Sequence, residues 1–187
     1  MLFRHLHWDH IQGFPFFRPA YVAGNTFTLY GPGEGGAAAL RASLECQMQP
    51  PNFPVTLSAM ESRIEFRSIR AGDELCLGPA RISAAALNHP QGCLGYRISV
   101  GTSTLVYATD TEAVVPGGVD PVVLALARDA DLLIHDAQYT EDEYYGTGAP
   151  ARRGWGHSTI TSACRLARAA GVKQLALFHH DPAHETV

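Results

Sequence analysis

The sequence predicts an α/β protein in which helices pack in layers against sheets. Between residues 63 and 109, short runs rich in β-branched and aromatic residues are separated by "AGD", "GP" and "GTS", which is typical of successive strands. From residue 120 onward the pattern alternates between helix and strand. A series of strands followed by helix–strand alternation favours layered packing around sheets.

The elements follow one another in this order. Residues 14–35 read as a loop that leads into the short strand "TFTLYGP", and "GGAAALRASLECQM" predicts a helix that ends before Pro50 and Pro51. The next five strands are "RIEFRSI", "DELCLG", "ARISAAAL", "LGYRISV" and "STLVYAT". The last third predicts the helix "DPVVLALARDA", the buried strand "DLLIHDA", the amphipathic helix "STITSACRLARAAGV" and the strand "QLALFHH".

Length and composition restrict the class of protein. The chain has 187 residues, 46% hydrophobic and 17% charged, as expected for one globular domain. No apolar run approaches the roughly 18 residues of a membrane span. A net charge of −4 argues against tight binding to a nucleic-acid backbone. Four scattered cysteines without a C-x-x-C pair indicate buried thiols, and a cytoplasmic location is expected.

A cluster of histidines opens the chain in "FRHLHWDHIQG". In an extended segment His5, His7 and Asp9 project to one side, and His10 follows directly. Imidazole and carboxylate ligands suit zinc, iron or manganese better than calcium. A histidine-rich tail that binds metal weakly is the alternative, but spaced histidines that run into the core-like "IQGFPFF" favour a built site.

Further histidines and aspartates stand where predicted strands end. They are His89, Asp110, the pair His135 and Asp136, and the pair His179 and His180. Residues at strand ends are held rigidly by the scaffold and remain accessible, so such positions often carry chemistry. One histidine at a strand end has little meaning, but four such ends together with the opening cluster predict a polynuclear or catalytic site.

These motifs resemble the metallo-β-lactamase fold superfamily over essentially the whole chain. His-x-His-x-Asp-His opens the pattern, and "TDT" at residues 109–111 is similar to the Gly-Asp-Thr element of that family. "LLIHDAQY" resembles its His-Glu-Ala-Thr element and "GHST" at residues 156–159 its His-Ser-Thr element. The last two elements occur in the phosphodiesterase branch, which includes transfer-RNA 3′-processing endonucleases and cyclic phosphodiesterases. The implied fold is a four-layer αββα sandwich.

The resemblance also implies a dinuclear metal site. One ion would be held by His5, His7 and His89, the other by Asp9, His10 and His179, with Asp110 bridging both. Two divalent ions about 3.5–4 Å apart can share a hydroxide that attacks a phosphodiester. Zinc is the expected ion, with manganese and iron as alternatives. Asp9 is expected to serve in catalysis as well as in metal binding.

Two further catalytic residues follow from the resemblance. His157 is expected to protonate the leaving alkoxide and Asp136 to hold it, with Ser158 as N-cap of the next helix. The alternative for His157 is an exposed loop residue. His135 is expected in the core, and His180 and His184 at the surface. Nearby Arg152, Arg153 and Trp155 could contact a phosphate and a base, or belong to a solvated loop.

Family members normally have several strands before the His-x-His-x-Asp-His element, and here only four residues precede it. The sequence therefore predicts one domain over residues 1–187 that lacks the usual N-terminal strands, with an incomplete first sheet. An uncovered sheet edge invites association. The expected consequence is either a homodimer that covers this edge or marginal stability that rises with added zinc.

The predicted function is a metal-dependent hydrolase that acts on a small or cyclic phosphodiester. Transfer-RNA endonucleases of this fold generally insert an RNA-binding arm before the bridging aspartate, but only 20 residues separate His89 from Asp110, so nucleic acid is not expected as a partner. Two alternatives stay open. One is a truncated, non-catalytic metal-binding remnant or sensor, and the other a lactonase or glyoxalase-like hydrolase of the same fold.

Overall fold

The computed structural model describes residues 1–114 and 117–184. The chain forms two compact units, Met1–Arg70 and a second that begins at Ala71. The structure is mixed α/β, as the sequence predicts. The single domain over residues 1–187 stays a prediction.

The first unit contains a two-stranded parallel sheet connected by a helix. Strand β1 (Thr26–Pro32) pairs with β2 (Arg63–Ile69), and helix α2 (Gly36–Gln47) connects them. The helix starts tightly against the strand, because a Cβ atom on Gly31 would overlap the carbonyl oxygen of Gly36. Both strands have the bounds that the sequence predicts.

A short helix that the sequence does not predict, α1 (Trp8–Ile11), follows the opening histidines, and the predicted loop contains two 3₁₀ turns. Ile11 and Phe14 lie in the hydrophobic core of this unit with Leu29, Leu40 and Leu44. Apolar burial on both sides of α1 therefore fixes the backbone from which the histidines project. The 3₁₀ turns of the unit are Phe14–Phe16, Arg18–Tyr21 and Leu57–Ala59.

The second unit is built on a six-stranded sheet with its strands in sequence order. The strands are β3 (Glu74–Leu77), β4 (Ala80–Leu87), β5 (Cys93–Val100), β6 (Ser103–Ala108), β7 (Leu132–Asp136) and β8 (Gln174–Phe178). Neighbouring strands are antiparallel from β3 to β6 and parallel from β6 to β8.

Strand direction brings the predicted site residues of this unit to one edge. Strands β6, β7 and β8 run the same way, and β4 is parallel to them because two antiparallel pairings separate it from β6. Their carboxyl ends, which carry His89, Asp110, Asp136 and His179, therefore meet at the same edge of the sheet. The strand-end residues that the sequence singles out therefore lie along one edge of this sheet, and their role as a site stays a prediction.

Three helices accompany this sheet: α3 (Pro121–Ala127), α4 (Glu141–Tyr145) and α5 (Ile160–Ala170). Val123 from α3 and Leu166 from α5 pack with Val106 and Leu133 of the sheet in one core cluster. Among the described residues, no helix could cross a bilayer.

Two expectations about individual residues are wrong. The N-cap of α5 is Thr159, whose hydroxyl accepts from the amide of Ser162, and not Ser158. The amide of Ser158 donates instead to Asp136, so the helix starts one residue later. None of the four cysteines, all of which lie in the described residues, forms a disulfide, and only Cys93 is buried, while Cys46 and Cys76 are exposed.

Candidate metal centre

The opening cluster of the first unit brings three imidazoles together. The ring centroid of His5 lies 4.5 Å from that of His7 and 4.4 Å from that of His10. His7 has extended backbone and α1 begins directly after it, so the chain turns between the second and third histidine. The extended segment therefore accounts for His5 and His7, and the turn into α1 brings the ring of His10 to them, whereas Asp9 lies in the helix and not in the extended segment that the sequence predicts.

Asp9 and His10 form a nitrogen and oxygen pair within the same cluster. The Nε2 atom of His10 lies 2.9 Å from Oδ2 of Asp9, and Nη2 of Arg4 lies 3.2 Å from Nδ1 of His10. Because a guanidinium only donates, Nδ1 accepts, and in a neutral ring Nε2 then carries the proton. A cation that both atoms bind could replace that proton.

In the second unit Asp110 and His179 face each other. The Oδ2 atom of Asp110 lies 3.9 Å from Nε2 of His179. Both residues have left-handed backbone, with φ of 58° and 62°. Non-glycine residues rarely adopt this conformation, and where the surrounding structure enforces it the position is often functional.

Asp136 connects several parts of this cluster and is fully buried. Its Oδ2 atom accepts hydrogen bonds from the amide of Asp110 at 2.9 Å and from Nδ1 of His157 at 2.8 Å. Its Oδ1 atom accepts from the amides of Ser158 at 3.0 Å and Gln138 at 3.1 Å. A carboxylate with four donors has a fixed orientation. Although aspartate is one methylene shorter than the glutamate of the His-Glu-Ala-Thr element, Asp136 reaches His157.

His157 is enclosed by other rings and is not an exposed loop residue, because only 13% of its side chain is accessible. It stacks on His179 with centroids 4.8 Å apart and meets His89 and Tyr139 edge-on at 5.0 and 6.0 Å. Since Nδ1 donates to Asp136, Nε2 is the ring atom through which His157 could exchange a proton with another molecule.

His89 is oriented by a backbone carbonyl. Its Nδ1 atom donates to the oxygen of Gly156 at 3.0 Å, so the neutral ring keeps its lone pair on Nε2, the arrangement of a metal-binding histidine. Gly156 has a φ of +86°, and a Cβ atom there would overlap Nδ1 of His89 and Cδ of Pro90. Only glycine permits this close approach.

Sequence analysis missed Glu112, a buried carboxylate beside the cluster. Its Oε1 atom accepts from the hydroxyl of Tyr144 at 2.6 Å and the amide of Gly154 at 2.9 Å, and Oε2 accepts from the amide of Gly156 at 2.9 Å. Burial and this contact raise the pKa of Tyr144. The only sequence signal is an acidic residue two positions after Asp110.

Arg152, for which a phosphate contact and a solvated loop are both open from the sequence, makes an internal contact. Its Nη1 atom lies 2.5 Å from Oδ2 of Asp181, and its guanidinium stacks over the ring of Tyr139 at 4.9 Å. Burial raises the pKa of Tyr139 to about 12. Arg152 thereby ties the segment after β8 to the end of β7, whereas Arg153 and Trp155 are exposed.

The other histidines lie where the sequence predicts or close to it. His135 is buried, donates to the carbonyl oxygen of Asp136 at 2.7 Å, and has a pKa lowered by burial. His180 is exposed, and His184 is half-buried against Glu143 at 3.0 Å.

The ligand atoms inside each unit fit a divalent ion. Bond lengths of about 2.0–2.2 Å from zinc to nitrogen or oxygen put two ligand atoms of a tetrahedral ion about 3.3–3.6 Å apart. The pair His10 and Asp9 at 2.9 Å and the pair His179 and Asp110 at 3.9 Å lie within a few tenths of an ångström of this range, so small side-chain shifts bring each pair onto one ion. The donor set contains imidazole and carboxylate, the ligands preferred by zinc, iron and manganese.

Comparison with known proteins identifies the family. Residues 1–180 match the β-lactamase superfamily domain. Ribonuclease Z of Brevibacillus brevis is 39% identical over 82 residues, 43% of this chain and 22% of that protein. Ribonuclease Z of Gemmatimonas aurantiaca is 29% identical over an alignment of 219 residues, which covers 96% of this chain and 68% of that protein.

Among solved structures, the metallo-β-lactamase fold protein YhfI from Bacillus subtilis has a TM-score of 0.68 and 24% identity, covering 100% of this chain and 65% of YhfI. The chain thus spans about two thirds of the length of the relatives that match it from end to end. It belongs to the β-lactamase superfamily, in the phosphodiesterase-like branch with ribonuclease Z.

Proposed function

We propose that this chain is a metal-dependent hydrolase of phosphodiesters. The observation that carries the proposal is the hydrogen bond between Nδ1 of His157 and Oδ2 of Asp136, inside the cluster that also holds Asp110 and His179. Metal ligands alone are compatible with many hydrolases of this fold. A buried carboxylate that orients an imidazole beside these ligands allows the protonated imidazole to act as the acid that an alkoxide leaving group requires.

The proposed cofactors are two divalent ions, with zinc expected and manganese or iron as alternatives. The assignment rests on the order of motifs in the family and on the fit inside each unit. Bound ions lower the pKa of a coordinated water and neutralise charge on phosphate oxygens. The proposed ligands are His5, His7 and His89 for one ion, Asp9, His10 and His179 for the other, and Asp110 for both.

The chain's own residues have two proposed roles beyond metal binding. Protonated His157 would donate its Nε2 proton to the leaving oxygen, while Asp136 holds the ring in one tautomer and stabilises its positive charge. Asp9, whose side chain is 54% exposed, would accept a proton from the attacking water.

The proposed substrate is a small or cyclic phosphodiester. Residues 90–109 are taken up by β5, β6 and their short connections, which leaves no segment for an RNA-binding arm. The alignment with the Gemmatimonas enzyme has 219 positions against 187 residues in this chain, so the relative carries inserted segments. Because relatives are named ribonuclease Z, RNA is the competing substrate.

The test is hydrolysis of bis(p-nitrophenyl) phosphate with added Zn²⁺ or Mn²⁺, beside a cyclic nucleotide and a transfer-RNA precursor. Turnover of the small diesters but not of the RNA supports the proposal. RNA cleavage at a higher kcat/KM than either small diester would overturn the substrate assignment. Bound metal without turnover would indicate a sensor, and turnover of a lactone or thioester alone would indicate the other hydrolase class.

A homodimer and a cytoplasmic location are part of the proposal and stay predictions. The first unit has an open groove of about 850 Å³ lined mainly by apolar side chains, among them Trp8 and Phe16, which are 67% and 70% exposed. Apolar surface of this kind favours association. Light scattering on the purified chain gives the mass, and a monomer at all concentrations would overturn the dimer.

A further inference from the structure

Glu112 is the one buried carboxylate of the described site region that none of the proposed roles uses. We propose that Glu112 is a positioning residue that fixes the peptide of Gly156 and thereby orients both His89 and His157. The inference deepens the proposed function, because it explains how two of its imidazoles are held.

The first step is the set of contacts that Glu112 makes. Three donors converge on one carboxylate: the hydroxyl of Tyr144 and the amides of Gly154 and Gly156, all within 2.6–2.9 Å. Its backbone is fixed too, because its amide donates to the carbonyl oxygen of Asn88 at 2.9 Å and its own carbonyl accepts from Nδ2 of Asn88. Because both the backbone and the carboxylate of Glu112 are hydrogen-bonded, this side chain has a fixed position against which the loop of Gly154 and Gly156 is held.

The second step leads from Gly156 to the two histidines. The peptide nitrogen of Gly156 is bound by Glu112, while its carbonyl oxygen accepts from Nδ1 of His89 at 3.0 Å. The next residue is His157, whose Nδ1 atom donates to Asp136. One glycine therefore transmits the position of the Glu112 carboxylate to both imidazoles.

The third step is the chemistry that requires a carboxylate here. Ionised Glu112 only accepts, and all three groups that face it donate. A glutamine in its place has one oxygen and an NH₂ group, so at least one amide would face another donor. Hydrogen bonds to a charged acceptor are stronger than neutral ones, and an unsatisfied buried donor is costly. The oxygen of glutamine is expected at the Oε1 position, where two donors converge, so the NH₂ group faces the amide of Gly156 and the peptide of Gly156 moves away from it.

The experiment compares Glu112→Gln with a matched control, Asp131→Asn. Asp131 also accepts from a backbone amide, that of Thr104 at 2.6 Å, and from Lys173, but it lies before β7 at the opposite end of that strand. Amide hydrogen exchange is followed by NMR at Gly154 and Gly156 in the chelator-treated full chain. We expect exchange at Gly156 to become about tenfold faster or more in Glu112→Gln, and to stay unchanged in Asp131→Asn.

Tyr144→Phe is the second variant, since it removes one donor and leaves both backbone contacts of Glu112 in place. Exchange at Gly156 should stay slow in it. Unchanged exchange in Glu112→Gln, or an equal increase in Asp131→Asn, would overturn the inference. This measurement needs no bound metal and no turnover, so it can fail while the proposed hydrolase activity stands, and the reverse.

Zinc affinity supplies the second readout, measured by competition with a chromophoric chelator. Loss of an outer contact to a ligating histidine typically costs 10- to 100-fold in metal affinity. Glu112→Gln is expected to show a loss of this size and Asp131→Asn none. Equal affinity in Glu112→Gln and the unmodified chain would overturn the link from Gly156 to His89. Failure of the unmodified chain to bind zinc, manganese and iron would overturn the proposed function, while the exchange measurement would still test the inference on Glu112.

Discussion

The imidazole of His157 and the carboxylate of Asp136 are joined by a hydrogen bond of 2.8 Å from Nδ1 to Oδ2, and only 13% of the His157 side chain is accessible. The same carboxylate accepts from the amide of Asp110. Asp136 therefore couples the proposed acid to the residue proposed to bridge the metals. Because the carboxylate of Asp136 contacts both residues, a displacement of His157 would also shift the backbone of Asp110, and the reverse.

Replacement of His157 by alanine is expected to lower the rate by about 10²- to 10⁴-fold while the metal content is unchanged. The loss should be large for alkyl leaving groups and small for p-nitrophenolate, which needs little protonation. Rates for paired aryl and alkyl phosphodiesters, with metal analysis of each preparation, test this. An equal loss for both leaving groups would assign His157 to binding or structure instead.

Replacement of Asp110 by alanine should lower the metal content of both proposed sites, because its carboxylate would contact both ions. Elemental analysis of the purified variant measures the content. Glu45→Ala is the control, since Glu45 forms only an exposed ion pair with Arg41 on α2 and should leave the content unchanged. Two tightly held ions in Asp110→Ala would remove the bridging role.

The strand-end residues could be predicted from sequence for a physical reason. A strand such as β7 begins as an apolar run, and the polar residues at its carboxyl end, here His135 and Asp136, stand out against that run. Because the strands that carry them run in one direction, the ends coincide in space. Local patterns therefore single out His89, Asp110 and His179, whereas their grouping as metal ligands follows only from the resemblance to the family and stays a prediction.

Glu112 could not be predicted, because its partners are distant in sequence. The donors Tyr144, Gly154 and Gly156 follow it by 32, 42 and 44 residues, and no periodic pattern connects them. The N-cap of α5 failed for a related reason. Ser158 and Thr159 are both good capping residues. The choice between them depends on the hydrogen bond from the amide of Ser158 to Asp136 at the end of β7, which is distant in sequence.

Glu143 makes stability depend on pH at the acidic end. Its pKa is lowered from 4.5 to about 2, first by the amide of Thr140 and then, against burial, by His184. A depressed pKa means that the folded state favours the ionised form, so the stabilisation is complete above about pH 4.5 and is lost as the pH falls toward 2. Urea unfolding of the unmodified chain and of Glu143→Gln, between pH 2 and 7, measures the difference.

The gap in unfolding free energy between these two proteins should be constant above about pH 5 and should shrink below it. The carboxylate also closes a capping box with Thr140, so its loss should loosen α4. A gap that does not change down to pH 2 would show that Glu143 is not held in its ionised form by these contacts.

Gly156 and Gly154 allow steric conflict to be separated from backbone strain. Their φ angles are +86° and +82°, so alanine strains the backbone at both by a similar amount, about 1–2 kcal/mol. At Gly154 an added Cβ atom meets nothing within 4 Å, whereas at Gly156 it would overlap His89 and Pro90. Overpacking of this kind costs a further 1–3 kcal/mol or so.

Gly156→Ala should therefore unfold at a clearly lower urea concentration than Gly154→Ala. It alone should weaken zinc binding, because the displaced ring of His89 is a proposed ligand. Urea titrations and chelator competition on both variants measure the two effects. Equal stability and equal zinc affinity would show that the loop moves away from His89 without consequence, and that the close approach of Gly156 does not hold that ring.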